Sequence, residues 1–509
     1  MKAFLSLFLL FSVFVQYVPA QTAKAAPTAQ GATAVRANAQ EMDAPFVSKT
    51  LSNGLEVIVL PDSAVPLVTV ELAVRNGSFT EPPELNGLSH LYEHMFFKPS
   101  QAMLLAQCDG LKARFGLPQA CVEVNRHRSQ IGDVSYVNNL DRLGVARNGQ
   151  TQEELVNYYF TTTSPYIETA MRLINDSVRY PRFDETDLEN EKRVVIGELE
   201  RNESNPFGYL SRALNDKLFY KYPTRKNPGG TRETVAAATT AQMRTIQSRY
   251  YYPNNAALVI TGNVKPDDAF RLAERILGSW EPRKVDPFKE FPLVEHPPLP
   301  KSEALVVEKN IGEGQEGSEQ NVFIQIGWHG PSIGKDDKAT YAADVFSYIL
   351  QQPDSHFQRT LVDSGLASGA SIGYYTQRNV GPINLSLITT PEKAKAALKA
   401  AYAEIAQFTK AGYFTDEELE NSKTILQSRD LFEREKPSEY AHTLSFWWSS
   451  TGIDYFRGYQ KNLRAVTKAD IDRYVTTYIQ GKPHVAIALL SPAAKSRANL
   501  TDPDLIGGN

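Results

Sequence analysis

The segment FDETDLENEK at residues 183–192 returns in altered form as FTDEELENSK at residues 414–423. A second echo follows each copy in the same order. It is a tyrosine- and proline-containing segment followed by an apolar run, at residues 250–253 and 257–260 in the first half and at 478–483 and 485–488 in the second. Two echoes in one order indicate a duplicated domain. Because each copy places a helix before a late strand, the fold class is predicted to be α+β.

The length and the linker signal predict where the two copies lie. A chain of 509 residues exceeds the size at which one hydrophobic core usually stops growing. A stretch rich in proline and charge at 282–301 predicts a linker. We therefore predict one domain at 45–281, a second at 302–492 and a tail at 493–509. Each domain is expected to be a mostly antiparallel sheet flanked by helices.

Local signals in the first domain agree with this division. Asn53-Gly54 lies between β-forming segments and predicts a hairpin. Residues 68–74 alternate well enough to predict another strand. A helical stretch begins after Asn86-Gly87.

The N-terminus has the order of a secretory signal. Lys2 precedes an apolar run at residues 4–15, and small residues end at Ala20, so residues 1–20 are predicted to be a cleaved signal peptide. An uncleaved anchor is the alternative. Residues 21–44, rich in Ala, Gln and Thr, predict a flexible lead-in. The mature chain is expected to have no stable membrane span and to reside in a periplasm.

The net charge bears on the kind of partner, and the cysteine content bears on a disulfide. The net charge is −4 and the pI is about 6.1, which argues against a nucleic-acid partner. The two cysteines, Cys108 and Cys121, predict a local disulfide in an exported protein. Two buried free thiols are the alternative.

The motif His90-Leu-Tyr-Glu93-His94 carries the chemistry. Two histidines four residues apart lie on one face of a helix, which suits two ligands of one tetrahedral Zn²⁺. Glu93 points about 100° around the helix from His94, so it can reach an activated water without binding the metal. The alternative is a surface helix that contains these residues by chance.

A catalytic zinc needs a third protein ligand. Glu191 and Glu198 lie seven residues apart, which is two helical turns and one face. One can bind the metal while the other supports the site. A solvated acidic helix is the alternative. By the register of the repeat, their counterparts are Ser422 and Arg429, so only the first half can hold the metal.

At this point the chain resembles the pitrilysin/insulinase family of inverted zinc peptidases, in its short two-domain form. Residues 87–98, GLSHLYEHMFFK, are similar to the family's Gly-x-x-His-x-x-Glu-His-Met-x-Phe-Lys. The resemblance places the third ligand on Glu198 and leaves Glu191 in support. It also implies a substrate-facing edge strand formed by Asn148, Gly149, Gln150 and Thr151.

The resemblance further implies what the chain does. Relatives enclose peptides or unfolded polypeptides between facing halves, so the chain is expected to form half of a clam-like chamber and to act as a zinc endopeptidase. The rivals are a non-catalytic scaffold or assembly subunit, and a metal-binding or chaperone-like protein without turnover. The presence of Glu93 argues against metal storage alone.

Two departures from the family pattern carry further expectations. More residues separate His94 from Glu198 in this sequence than in relatives. An insertion is therefore predicted at about 101–128, at the rim of the active-site cleft. It contains His127, which we expect to be a solvated loop residue because arginines flank it.

The second departure lies beside Gly365-Leu-Ala367. Active relatives place an arginine and a tyrosine around this turn to hold the substrate, where this chain has Leu361 and Ser368. We therefore expect a heterodimer with a sister chain that supplies that pair. The alternative is a monomer or homodimer that uses Arg359 with Tyr374 or Tyr375.

Overall fold

The structure is a computed structural model, and it describes residues 45–111, 118–309 and 320–506. The predicted signal peptide and lead-in lie outside the described residues. Eleven strands are found in the described ranges: β1 (Val47–Thr50), β2 (Glu56–Pro61), β3 (Leu67–Val74), β4 (Ala146–Thr151), β5 (Val156–Thr163), β6 (Ala256–Gly262), β7 (Glu303–Glu308), β8 (Val322–His329), β9 (Gly369–Tyr374), β10 (Pro382–Thr389) and β11 (Val485–Leu490).

The helices of the first half alternate with its strands. They are α1 (Leu88–Phe96), α2 (Gln101–Leu111), α3 (Gln119–Asn125), α4 (Arg128–Ile131), α5 (Ile167–Arg179), α6 (Glu185–Ser204), α7 (Pro206–Leu218), α8 (Arg232–Ala236), α9 (Thr240–Tyr250), α10 (Pro266–Leu277) and α11 (Pro287–Glu290).

The helices of the second half follow the same plan. They are α12 (Asp337–Gln351), α13 (His356–Gln358), α14 (Ala394–Gln407), α15 (Asp416–Arg434), α16 (Pro437–Ser450), α17 (Ile453–Arg457), α18 (Tyr459–Arg464), α19 (Lys468–Tyr478), α20 (Pro492–Ala498) and α21 (Asp502–Leu505). None of the helices that the structure describes combines the length and apolar character that a bilayer span requires.

The two sheets have one topology, which explains the repeat in the sequence. The first sheet has the order β1-β2-β6-β3-β5-β4 and the second has the order β7-β11-β8-β10-β9. Apart from β1, each strand of the first sheet has a counterpart at the same place in the second. Only β2–β6 and β7–β11 pair in parallel; the other pairs are antiparallel. The α+β class and the mostly antiparallel sheets are confirmed.

The predicted hairpin, strand and helix are all present in the first half. Thr50 pairs with Glu56 across the Asn53-Gly54 turn, and Gly54 has a φ of +87°, which glycine adopts without strain. Strand β3 covers the predicted alternating segment. Helix α1 carries the two histidines.

Each half contributes one helix that covers the sheet of the other half. The outer face of the first sheet packs against α16, with Tyr440, Leu444 and Trp448 buried among apolar residues of β2, β3 and β6. Reciprocally, Leu210, Leu214 and others of α7 are buried against β8 and β11 of the second sheet. Strands β6 and β11 are therefore covered on both faces, which is why their sequences are continuous apolar runs.

The predicted linker and the predicted tail both contain helices. The linker at 282–301 contains α11. The segment after Pro492, which we predicted to be a tail, forms α20 and α21. Leu500 and Leu505 of that segment are buried in the core of the second sheet. Residues 493–506 thus belong to the second domain, because their apolar side chains complete its core.

Candidate active site

The start of α1 is fixed by a buried carboxylate. Glu81 accepts hydrogen bonds from the backbone N–H of Gly87 (2.8 Å) and of Ser89 (2.5 Å). Gly87 has a φ of +87°, and a Cβ there would lie 2.6 Å from the Cα of Gly230. Both features set the angle at which α1 enters the site. Sequence reasoning missed Glu81, although an acidic residue just before a helix is favoured by the helix dipole.

Two helices bring the predicted ligands together. His90 and His94 lie on α1, and Glu198 lies on α6, which packs against α1. Their three ligand atoms lie within 4.8 Å of one another. Glu198 Oε2 is 3.6 Å from His90 Nε2 and 3.5 Å from His94 Nε2. Ligand atoms about 2.0–2.1 Å from a tetrahedral zinc lie about 3.3–3.4 Å apart, so this set fits the ion.

Glu191, to which the resemblance gives a supporting role, lies behind His94. Its Oε2 is 3.0 Å from His94 Nδ1, which directs Nε2 of the ring toward Glu198. The other oxygen, Oε1, pairs with the ammonium of Lys98. Glu191 therefore orients the His94 ring and lies outside the group of residues that could hold a metal ion. Lys98 was not among the predicted site residues, although its position four residues after His94 was a usable signal.

Glu93 lies beside the ligand atoms without joining them. Its Oε2 is 3.9 Å from His90 Nε2 and accepts a hydrogen bond of 3.1 Å from the Thr151 hydroxyl. Strand β4 passes so close that a Cβ on Gly149 would lie 2.7 Å from Glu93 Oε1. Burial raises the pKa of Glu93 to about 7, which suits a group that takes and returns a proton near neutrality.

The two histidines differ in their electrostatic surroundings. Burial, together with the neighbouring His94, lowers the pKa of His90 to about 4. Burial also acts to lower the pKa of His94, but hydrogen bonds to Glu191 and Glu198 outweigh it and raise that pKa to about 10. The surroundings of His90 thus favour a neutral ring, whereas the carboxylates beside His94 favour a positive charge on that ring.

The predicted substrate strand is β4, at the edge of the first sheet. It pairs on one side with β5, where Gly149 lies opposite Tyr158. Asn148 is exposed, and Gly149 and Gln150 are half-buried. Thr151 is only 7% exposed and points to Glu93. The structure therefore places Thr151 in contact with Glu93, while the other three remain accessible.

The loop after β4 is held by the second domain. The Tyr375 hydroxyl donates to Gln152 Oε1 (3.1 Å). The carboxylate of Glu154 accepts from the backbone N–H of Arg378 (2.8 Å) and of Asn379 (3.2 Å). The second domain thus anchors the end of the strand that contacts Glu93.

The predicted insertion forms a small helical unit. Cys108 on α2 and Cys121 on α3 form a disulfide, with their Cα atoms 5.6 Å apart. The bridge lies among buried apolar side chains of α2 to α4. His127 is exposed and lies outside the ligand cluster.

The second domain presents no equivalent site at the positions that the repeat predicts. Ser422 is buried and its hydroxyl donates to the backbone of Leu419, while Arg429 contacts Tyr348 and Glu433.

The structure also shows the burial of the two residues that occupy the substrate-holding positions of relatives. Leu361 is fully buried in the second core, and Ser368 is exposed. Of the alternative residues, Arg359 is exposed. The hydroxyl of Tyr374 donates to the backbone of Pro331, and Tyr375 is the residue that holds Gln152.

Comparison with known proteins agrees with this geometry. Residues 57–106 and 129–228 match the model of "Insulinase (Peptidase family M16)", and residues 237–426 match "Peptidase M16 inactive domain". Residues 107–128 lie outside these matches, within the predicted insertion. The zinc protease PqqE of Helicobacter pylori is 21% identical over 448 residues, which are 87% of this chain and 92% of the relative.

Solved structures share the fold. A protease from Helicobacter pylori superposes with a TM-score of 0.72 at 20% identity, over 88% of this chain and 100% of that one. The periplasmic protease PqqL from Escherichia coli gives a TM-score of 0.66 at 15% identity, over 91% of this chain and 49% of that one. The two family models together cover about two thirds of the sequence. The chain therefore belongs to the pitrilysin/insulinase family of peptidases, family M16.

Proposed function

We propose that the chain is a zinc-dependent endopeptidase that hydrolyses peptides or unfolded polypeptides. The observation that carries the proposal is the convergence of His90, His94 and Glu198 within 4.8 Å, with Glu93 beside them as a non-ligand carboxylate. A site built only to store metal has no use for that extra carboxylate.

The residues around the cluster have different roles in the proposed reaction. A zinc ion in this cluster would supply Lewis acidity toward water and toward a carbonyl group. Glu93 is placed to take a proton at one carboxylate oxygen while Thr151 fixes the other. Glu191 keeps the His94 ring in one orientation. An extended peptide would add to the exposed edge of β4, which brings its backbone beside Glu93.

The proposal is tested by separating metal binding from hydrolysis. His90→Ala, His94→Ala and Glu198→Gln should each lose bound zinc, as measured by elemental analysis. Glu93→Gln should keep zinc and lose about 10²–10⁴-fold in the hydrolysis of a quenched flexible peptide. Near-normal turnover by Glu93→Gln would show that the assigned mechanism is wrong.

We further propose that the active form is a heterodimer. Leu361 lies in the core and Ser368 has no cationic or aromatic group, so neither can hold a substrate backbone as the pair does in relatives. A sister chain of the same fold, without His-x-x-Glu-His, would supply the arginine and tyrosine. The same peptide assay decides: turnover only on addition of the sister chain supports the proposal, and robust turnover by this chain alone contradicts it.

The proposed location is a periplasm. The support is the signal-like order of residues 1–20 and the description of one solved structural relative as a periplasmic protease. Fractionation of cells that express the chain, with N-terminal sequencing of the recovered protein, tests both the location and the cleavage after Ala20.

A further inference from the structure

Arg147 lies on the face of β4 that looks toward the active site. Side chains alternate along a strand, so Arg147 shares a face with Gly149 and Thr151. Both of those residues lie against Glu93. The Cα of Arg147 is about 7 Å along the strand from that of Gly149. A long cationic side chain therefore begins two residues from the point at which β4 meets the acid–base residue.

Among the residues that the structure describes, no hydrogen bond or ion pair engages the guanidinium of Arg147. The residue is exposed, and no carboxylate pairs with it among residues 45–111, 118–309 and 320–506. The other cations near the metal ligands are engaged: Lys98 with Glu191, and Arg201 with Glu198 at 3.7 Å. Arg147 is thus the cation of this face that is left for a ligand from outside.

The carboxylates around the site are more deeply buried than the cations that pair with them. The three carboxylates have side chains that are 10–13% exposed, whereas the side chain of Arg201 is 69% exposed. Among the six side chains counted, the three cations together with a bound Zn²⁺ would carry a formal charge of +5, against −3 for the three carboxylates. The groups counted are Glu93, Glu191, Glu198, Lys98, Arg201 and Arg147.

We propose that Arg147 makes this site selective for acidic peptides. A peptide strand added to β4 lies about 4.8 Å from it, and its residue opposite Arg147 is two residues from the one opposite Gly149. A glutamate or aspartate at that position can form a charge-assisted hydrogen bond with the guanidinium. The substrate class is therefore an extended polypeptide with a carboxylate about two residues from the cleaved bond.

This inference rests on the proposed function, because it requires a peptide bound along β4. A competing explanation is that Arg147 only prevents edge-to-edge aggregation of the sheet, a common use of charge on an edge strand. The two explanations differ in what they predict for binding. A protective charge gives no preference between acidic and neutral peptides.

The test uses two flexible quenched peptides that differ only by Glu or Gln at the positions two residues from the cleaved bond, on either side of it. For the zinc-loaded mature chain, with its sister chain where turnover needs it, kcat/KM should be about tenfold higher for the Glu peptide. Arg147→Gln should reduce this ratio to about one. Arg142→Gln should leave the ratio unchanged, because Arg142 is equally exposed but precedes the strand.

A second measurement separates selectivity from hydrolysis. In the Glu93→Gln chain, fluorescence anisotropy should show the same preference in Kd, and the preference should shrink as salt is raised. Equal binding and equal cleavage of both peptides would overturn the inference and leave the peptidase proposal intact. Preferential binding of the Glu peptide without cleavage by the unmodified chain would support the inference and contradict the proposed hydrolysis.

Discussion

Helices α6 and α15 occupy the same place in the two halves, yet among the residues that the structure describes only α6 of the two contributes to the group that could hold a metal ion. Both begin with a side-chain cap, from Asp184 in α6 and from Thr415 in α15. Each then carries a lysine paired with a glutamate three residues earlier. These pairs are Lys192 with Glu189 at 2.5 Å, and Lys423 with Glu420 at 2.8 Å.

The difference begins one residue away from the shared lysines. Glu191 and Glu198 face α1 in the first half, whereas Ser422 and Arg429 stand at those positions in the second. Capping and packing positions agree between the copies, and the metal-facing positions do not. The comparison shows that the scaffold and the chemistry are carried by different residues of the same helix.

The largest effect is expected from exchanging the residues that differ. Glu198→Arg, which copies the second half, should abolish stoichiometric zinc binding because it removes a ligand and adds a cation beside two histidines. Elemental analysis of the purified protein measures it. The converse change, Arg429→Glu, should create no zinc site, since the facing helix α12 contains no histidine. Full zinc occupancy in Glu198→Arg would mean that Glu198 is not a ligand.

A smaller effect is expected where the two edge strands differ. In Gly149→Ala the new methyl group would lie 2.7 Å from Glu93 Oε1, so Glu93 or β4 must shift. We expect kcat to fall by about 10²-fold with zinc retained, because a misplacement of about 1 Å has that effect on an acid–base group.

Gly373 on β9 supplies the matched control. A Cβ at Gly373 meets nothing within 4 Å, so Gly373→Ala should leave kcat within about twofold of the unmodified chain. If both alanine variants behaved alike in the peptide assay, the close approach of β4 to Glu93 would have no catalytic importance.

The smallest effect is expected where the copies agree. Lys192→Met and Lys423→Met each keep most of the apolar stem and remove an ammonium whose partner is largely exposed. Each should lower the free energy of unfolding by about 1 kcal/mol or less, and by similar amounts. Denaturant unfolding of the two variants measures this. A clearly larger loss for Lys192 would tie that ion pair to the metal site.

Much of the fold could be predicted from the sequence because several sequence patterns occur in both copies of the duplicated domain. The echo of residues 183–192 at 414–423 located two equivalent helices, and the Asn53-Gly54 turn located the first hairpin. Helical periodicity also placed His90 and His94 on one face of a helix, and Glu191 and Glu198 on one face of another. The choice of Glu198 as the third ligand came from the family resemblance.

What could not be predicted depends on contacts between distant segments. Periodicity shows that α7 and α16 are amphipathic, but it does not say which sheet each one covers. The support given by Glu81 and the hydrogen bond from Thr151 to Glu93 likewise join elements that are far apart in sequence. The tail was misjudged because its few apolar residues, such as Leu505, are significant only beside the core they complete.

Because α7 and α16 each cover the sheet of the other half, we expect the two halves to depend on each other for folding. A cut anywhere in 282–301 would give one fragment with an uncovered sheet face around Ile58 and Val259, and with a bare apolar helix at Leu210 and Leu214. The other fragment would have the reciprocal defects, and each would aggregate unless the two were produced together. Neither half is therefore expected to fold stably when it is produced alone.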